Sequence, residues 1–173
     1  MERFTFFWGA EHPFSQWYAD APFERDGLRF PTAENWMMWQ KARLFGAPSD
    51  FCAAIVTATP RDAKRLGREV PGFSQAVWSV AARPIVAAGN YAKFTQNPSL
   101  LRKLIETVGT TRVEASPTDR IWGIGLTADD PRALRRTTWR GTNWLGEVLT
   151  DVRDTLLRAR SIGAARHTGR ESR

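Results

Sequence analysis

Hydrophobic positions along the chain fall into blocks of two different periods, and each change of period marks a change of element. Arg3 to Trp8 mixes aromatic and β-branched residues and predicts a strand. Phe23 to Phe30 predicts a hairpin turning at Asp26-Gly27, a dipeptide suited to the positive φ of a tight turn. After Pro31 the pattern turns helical, with Thr32 as the N-cap and Gly46 just past the end. A short helix is expected from Thr59-Pro60 to Gly67, with proline at the favoured first position. Ser74 opens a longer helical stretch to about Gln96, which Pro84 should kink or split because it lacks a backbone donor. Asn97-Pro98 starts another helix, with Leu100, Leu101, Leu104, Ile105 and Val108 on its apolar side and Gly109 at its close. Arg112 to Glu114 and Arg120 to Leu126 read as extended, and Thr127 to Arg140 as a charged loop. Asn143 is expected to cap a final helix whose Leu145, Val148, Leu149, Val152 and Leu156 keep the helical period. The predicted class is α+β: a helix-rich single domain over residues 1–157 with a small antiparallel sheet, then a basic tail over 158–173 expected to be disordered.

Composition narrows the function classes. Length and a 42% hydrophobic share describe one globular domain with a real core. No apolar run is long enough to span a bilayer, and Met1-Glu2-Arg3-Phe4 lacks the layout of a signal peptide, so no membrane partner is expected. Cys52 is the single cysteine; it excludes an internal disulfide and fits a reducing cytoplasm. The net charge of +7 suggests nucleic acid until it is located, because +4 of it lies between Arg158 and Arg173. His12 and His167 are far apart and no His/Cys cluster has ligand spacing, so neither a metal site nor a Ser-His-acid triad is predicted.

Three segments carry candidate chemistry. In PTAENWMMWQKA (Pro31 to Ala42), Glu34, Met38 and Lys41 share a helix face. Glu34 and Lys41 stand roughly 10 Å apart along the axis, about the span of a nucleoside. Their bland reading is that an acid in the first turn and a base in the last complement the helix dipole. In VEASPTDRIWGIGL (Val113 to Leu126), Glu114 and Asp119 flank a Ser-Pro turn ahead of Trp122, where a carboxylate beside an indole can orient water or hold ribose hydroxyls. A plain turn, with Asp119 bonding nearby amides and Trp122 in the core, explains the same residues. In WRGTNWLGEVL (Trp139 to Leu149), Asn143 suits either a ligand or a cap, and Arg132, Arg135, Arg136 and Arg140 before it suit either a phosphate or solvent. Trp78 reads as core packing, and Lys93 as a cation favouring its helix C-terminus.

The order of the segments says more than any one of them. FFWG, PFSQWY, FPTAENWMMWQKA, PRDAKRLGREV (Pro60 to Val70), the tryptophan at Trp78, YAKFTQNPSLL, VEASPTDRIWGIGL and WRGTNWLGEVL together resemble the NADAR (YbiA-like) family from about Phe6 to Leu157. The resemblance implies a YbiA-like fold and a metal-free N-glycosidase that needs no cofactor. It implies a ribosylated amine as substrate, either a phosphoribosylamino-pyrimidine of riboflavin biosynthesis or ADP-ribosylated guanine in nucleic acid. Active-site roles carry onto Glu34, Trp78 and Asp119, and then onto Lys41, Trp122 and Asn143, with Trp36 on the substrate wall. Ser15-Gln16-Trp17 stands where many relatives have Ser-Asn-Phe, and Glu34-Asn35-Trp36 where they have Glu-His-Tyr; both departures are expected to line the pocket. A reader module that binds ADP-ribosylated nucleic acid without cleaving it is the alternative class. A plain DNA-binding protein ranks below both, because the body carries only +3.

Overall fold

A computed structural model describes residues 2–168. Its elements run β1 (Phe4–Phe7), β2 (Phe23–Arg25), β3 (Leu28–Phe30), α1 (Ala33–Leu44), α2 (Ser49–Thr57), α3 (Pro60–Arg68), α4 (Gln75–Gln96), α5 (Pro98–Ile105), β4 (Thr111–Glu114) and α6 (Trp144–Thr168). Two 3-10 turns, Pro131–Leu134 and Arg136–Thr138, interrupt the loop before α6. The class is α+β, as the pattern predicted. The strands, however, form two separate pairs. Antiparallel pairing is confined to the β2–β3 hairpin, whereas β1 and β4 pair in parallel with Phe4 opposite Thr111 and Phe7 opposite Glu114. Sequence periodicity carries no information on which distant strand a short strand will meet.

The centre of the molecule is α1. Ala33 through Trp39 and Ala42 are all buried, so this helix is enclosed on nearly every side rather than amphipathic. It packs against α2, α3 and α4. Thr32 caps it from an extended conformation, its Oγ1 accepting from the Asn35 backbone N–H at 3.3 Å. Trp36 is the anchor of the core, with its ring 5.3 Å from that of Phe30 and its indole N–H donating to the Ile85 carbonyl of α4 at 2.8 Å. The two helices approach this closely because α4 carries Gly89: a Cβ there would lie 2.2 Å from Trp36 Cδ1. A smaller cluster of Val113, Ile124, Leu126 and Ala133, with Phe4, Phe6 and Trp139 against it, fills the other face of the β1–β4 pair. Strand alternation then turns Glu114, beside Val113, toward the opposite face.

Several boundaries differ from expectation for identifiable reasons. α4 is not split: it runs through Pro84, and the carbonyl that proline deprives of a donor belongs to Val80, which is 80% exposed and open to solvent. Residues 120–126 form no strand. Asp119 organises them into a turn instead, with Gly125 at φ +66 and its N–H donating to the Asp119 carbonyl at 3.0 Å. Asn143 does not cap α6 with its side chain. Its backbone takes φ 55, and its amide reaches β4, accepting from Glu114 N–H at 2.9 Å and donating to the Arg112 carbonyl at 2.8 Å. α6 continues past Leu157 to Thr168 as a helix, and residues 169–173 of the expected tail lie outside the described residues. No helix among the described residues is long and apolar enough to cross a membrane.

Candidate active site

Four segments converge on one cavity. The first turn of α1 supplies Glu34, 3% exposed, whose backbone N–H donates to the Gln16 carbonyl at 2.9 Å. The loop carrying Ser15, Gln16 and Trp17 is tied down from α4. The buried Lys93 ammonium donates to the Pro13 and Ser15 carbonyls at 2.8 Å each, and Asn90 Nδ2 donates to Gln16 Oε1 at 2.8 Å. From the third side α3 approaches α1 at Gly67, where a Cβ would sit 2.0 Å from Met38 Sδ. The Gly67 carbonyl there receives Lys41 Nζ at 2.6 Å. The fourth side is the end of β4 and the turn after it. Asp119 Oδ1 accepts from the backbone N–H groups of Ile121 and Trp122 at 2.8 Å each, and Trp122 stands edge-on to Trp144.

The cavity encloses about 310 Å³ and is lined by Glu34, Lys41, Glu114, Asp119 and Trp122, with Trp17, Lys64 and Arg68 also on its wall. Its polar groups are only partly satisfied within the protein. Glu34 Oε1, Glu114 Oε2 and Gln16 Nε2 are buried and have no hydrogen-bond partner. Burial holds the Glu34 carboxyl up at about 7; Asp119 adds to the rise, while Lys64 and Arg68 oppose it. Burial, then the neighbouring Asp119 and Glu34, lifts Glu114 to about 8. Burial also lowers the proton affinity of Lys41, against the pull of Glu34. Two carboxyl groups that keep protons near neutrality, beside an amine that gives its proton up more readily, form an acid–base set. A larger recess of about 610 Å³ beside α2, lined by Trp39, Cys52 and Val56 with Arg43 as its one charged group, contains no such set. Among the described residues no group of three or more His, Cys, Asp or Glu is arranged to hold a metal ion.

Of the residues singled out from sequence, Glu34, Lys41, Asp119 and Trp122 meet on this wall. The others do not. Trp36 is 2% exposed in the core, and its neighbour Asn35 donates to the Ile55 and Ala58 carbonyls, so that departure from the family pattern faces α2 and not the pocket. Gln16 and Trp17, the other departure, do line it. Asn143 is fully buried in its clamp on β4. Trp78 reaches the site only through Lys41, whose Nζ lies 5.5 Å from its ring centroid and 4.1 Å from that of Phe73. Lys93 does not serve its helix end but locks the Pro13–Ser15 loop. Of the loop arginines, Arg132 pairs with Asp130 and Arg136 with Glu2 and Glu147, and none of the four lines the cavity. Glu114, weighed beside Asp119 from sequence but not placed in the site, and Lys64 and Arg68, part of the family-like segment PRDAKRLGREV but given no role, belong to the cavity.

Residues 6–157 match the NADAR domain. The chain belongs to the NADAR family. It is 39% identical over 163 residues to a protein named N-glycosidase R617 from Acanthamoeba polyphaga mimivirus, covering 88% of this chain and 96% of that one. It is 29% identical over 159 residues to a maize protein named riboflavin biosynthesis protein PYRR, chloroplastic, covering 86% of this chain and only 23% of that much longer one. The NMR structure of the E. coli protein YbiA superposes with a TM-score of 0.74 at 24% identity, over 92% of this chain and 89% of that chain, so the NADAR chain has the YbiA fold.

Proposed function

We propose that this NADAR protein is an N-glycosidase that hydrolyses the bond between a ribose C1′ and an exocyclic amine. The observation that carries the proposal is the pair of buried, unpartnered carboxyl oxygens of Glu34 and Glu114 on the same cavity wall as Lys41 and Asp119. The names of the mimivirus and maize relatives support the reaction class, one as an N-glycosidase and the other in riboflavin biosynthesis. A volume of about 310 Å³ is at the lower end for ligand pockets and favours a substrate of mononucleotide size, such as a phosphoribosylamino-pyrimidine, over ADP-ribosylated guanine.

Glu34, protonated near neutral pH, donates its proton to the departing amine as the C1′–N bond breaks. Water adds to C1′ and returns a proton to Glu34, giving the free base amine and a ribose hydroxyl. Asp119 keeps one oxygen in its turn and offers the other to the water or the ribose hydroxyls, while Trp122 and Trp17 flank the flat base. Because the nitrogen is exocyclic, the sugar ring of such a glycosylamine opens to an imine. Lys41, with its lowered proton affinity, then has a second role: its amine adds to C1′, expels the base and leaves a lysine imine that water hydrolyses. In the direct route two carboxyl groups assist an oxocarbenium-like state instead.

Side-by-side assays on a phosphoribosylamino-pyrimidine and on ADP-ribosylated guanine, with the released sugar identified by mass spectrometry, test the proposal. Sugar release from the smaller substrate is expected. Tight calorimetric binding of either compound with no sugar released would replace the enzyme with a reader module. Borohydride during turnover traps a protein–sugar adduct if Lys41 attacks, and the adduct is lost in Lys41→Ala; an untrapped reaction leaves the direct route.

A further inference from the structure

The short helix α3 carries four basic side chains, and the three over its last one and a half turns, Lys64, Arg65 and Arg68, do not behave alike. Arg65 pairs with Asp62 at 3.8 Å and Glu69 at 2.9 Å, on the exposed side of the helix. Lys64 and Arg68, one turn apart, face the cavity, and among the described residues neither forms an ion pair. The sequence explains the difference: Arg65 has acids three residues before and four after it, whereas Lys64 and Arg68 have none at those spacings. Like charges at this spacing repel, so the arrangement carries a cost that a negative ligand would remove. Lys64 is steadied by the Trp17 ring, 5.7 Å from its ammonium, a contact that leaves its N–H donors free. Among the described residues no carboxylate of the cavity lies within ion-pair distance of either, and Asp119 directs Oδ1 into its own turn.

We infer that Lys64 and Arg68 form a subsite for a phosphate monoester on the substrate, which sets a preference for phosphorylated over unphosphorylated N-ribosides. The inference rests on the N-riboside reading of the cavity. Lys64 supplies a point charge and Arg68 a planar donor fork, a combination suited to a dianionic group held at the rim while C1′ sits below among the carboxyls. None of the arginines of the loop before α6 lines the cavity, which leaves this task to α3.

The test compares ribose 5-phosphate with ribose, read by tryptophan fluorescence and calorimetry, on the wild type, Lys64→Ala/Arg68→Ala and Arg65→Ala. The wild type is expected to bind the phosphorylated sugar at least about 10-fold more tightly, given the strength of hydrogen bonds to charged groups. The double variant should lose that ratio and Arg65→Ala should keep it, with circular dichroism confirming that all three are folded. In turnover, the double variant should raise KM for a phosphorylated N-riboside about 10- to 100-fold and leave kcat within a few-fold. If Lys64 and Arg68 act only on the ionisation of Glu34, the pH profile moves and phosphorylated and unphosphorylated substrates suffer equally, which overturns the inference. A wild type blind to the phosphate, or an Arg65→Ala protein as impaired as the double variant, overturns it too. Preferential binding of ribose 5-phosphate without hydrolysis of any N-riboside would leave the subsite standing and remove the glycosidase.

Discussion

Replacing Glu34 by Gln should stabilise the protein at alkaline pH while disabling it. The carboxyl is 3% exposed, with one oxygen lacking any partner, and burial lifts it to about 7 from an ordinary value of 4.5. A group whose folded-state pKa is raised favours the native state while it is protonated. That stability is lost as pH climbs from the unfolded value through the folded one. Between 4.5 and about 7 the loss amounts to about 3 kcal/mol at full ionisation, at 1.36 kcal/mol per pH unit. Glutamine has nearly the same shape and no charge to bury, so Glu34→Gln should match the wild type at pH 5 and exceed it at pH 8.5. For a domain of this size the gain corresponds to about 6–12 °C in Tm. Thermal unfolding followed by far-UV circular dichroism at the two pH values measures the difference directly. A variant destabilised equally at both, or a gap that does not grow with pH, would refute the claim that a buried carboxyl is being ionised against its surroundings.

Other substitutions probe separate links. Glu34→Gln should also lower the rate of sugar release about 10²–10⁴-fold, as for other lost acid–base groups, measured on protein shown to be folded. Lys93→Met removes the ties to the Pro13 and Ser15 carbonyls, so KM should rise through a loosened Ser15–Trp17 wall; unchanged KM would mean that the loop holds itself. Gly89→Ala drives a methyl to 2.2 Å from Trp36 and should cost about 1–3 kcal/mol in urea unfolding, with the active site otherwise intact. Asn143→Ala strips the partners from Glu114 N–H and the Arg112 carbonyl and should cost about 2–4 kcal/mol, two buried bonds at the usual penalty.

Local chemistry was legible in the sequence where neighbours along the chain decide the outcome. Thr32 caps α1, Asp26-Gly27 turns the hairpin, and Glu34 and Lys41 share a helix face in the structure as their spacing requires. Asp119 satisfies both of its readings: one oxygen closes the turn on Ile121 and Trp122, and the residue still faces the cavity. What stayed hidden depends on distant partners. Nothing near Lys93 announces that its ammonium meets carbonyls 78 and 80 residues away, and nothing near Asn143 announces a clamp on a strand 29 residues earlier. The resemblance placed Trp36 on the substrate wall, but it lies two residues beyond Glu34, and two steps of about 100° turn it away from that face into the core. Glu114 was within reach: Val113 belongs to an apolar cluster, so the next residue on the strand had to face the other way.

The pH dependence of kcat/KM for N-riboside hydrolysis, on the wild type and on Glu34→Gln, joins the cavity's electrostatics to its chemistry most directly. A proton donor held at about 7 predicts an activity that falls through an alkaline limb centred near that pH, with the limb missing from the residual rate of the variant. A rate that stays level from pH 5 to 9 on any scale, or a limb that survives intact in Glu34→Gln, would contradict the assignment of that acid.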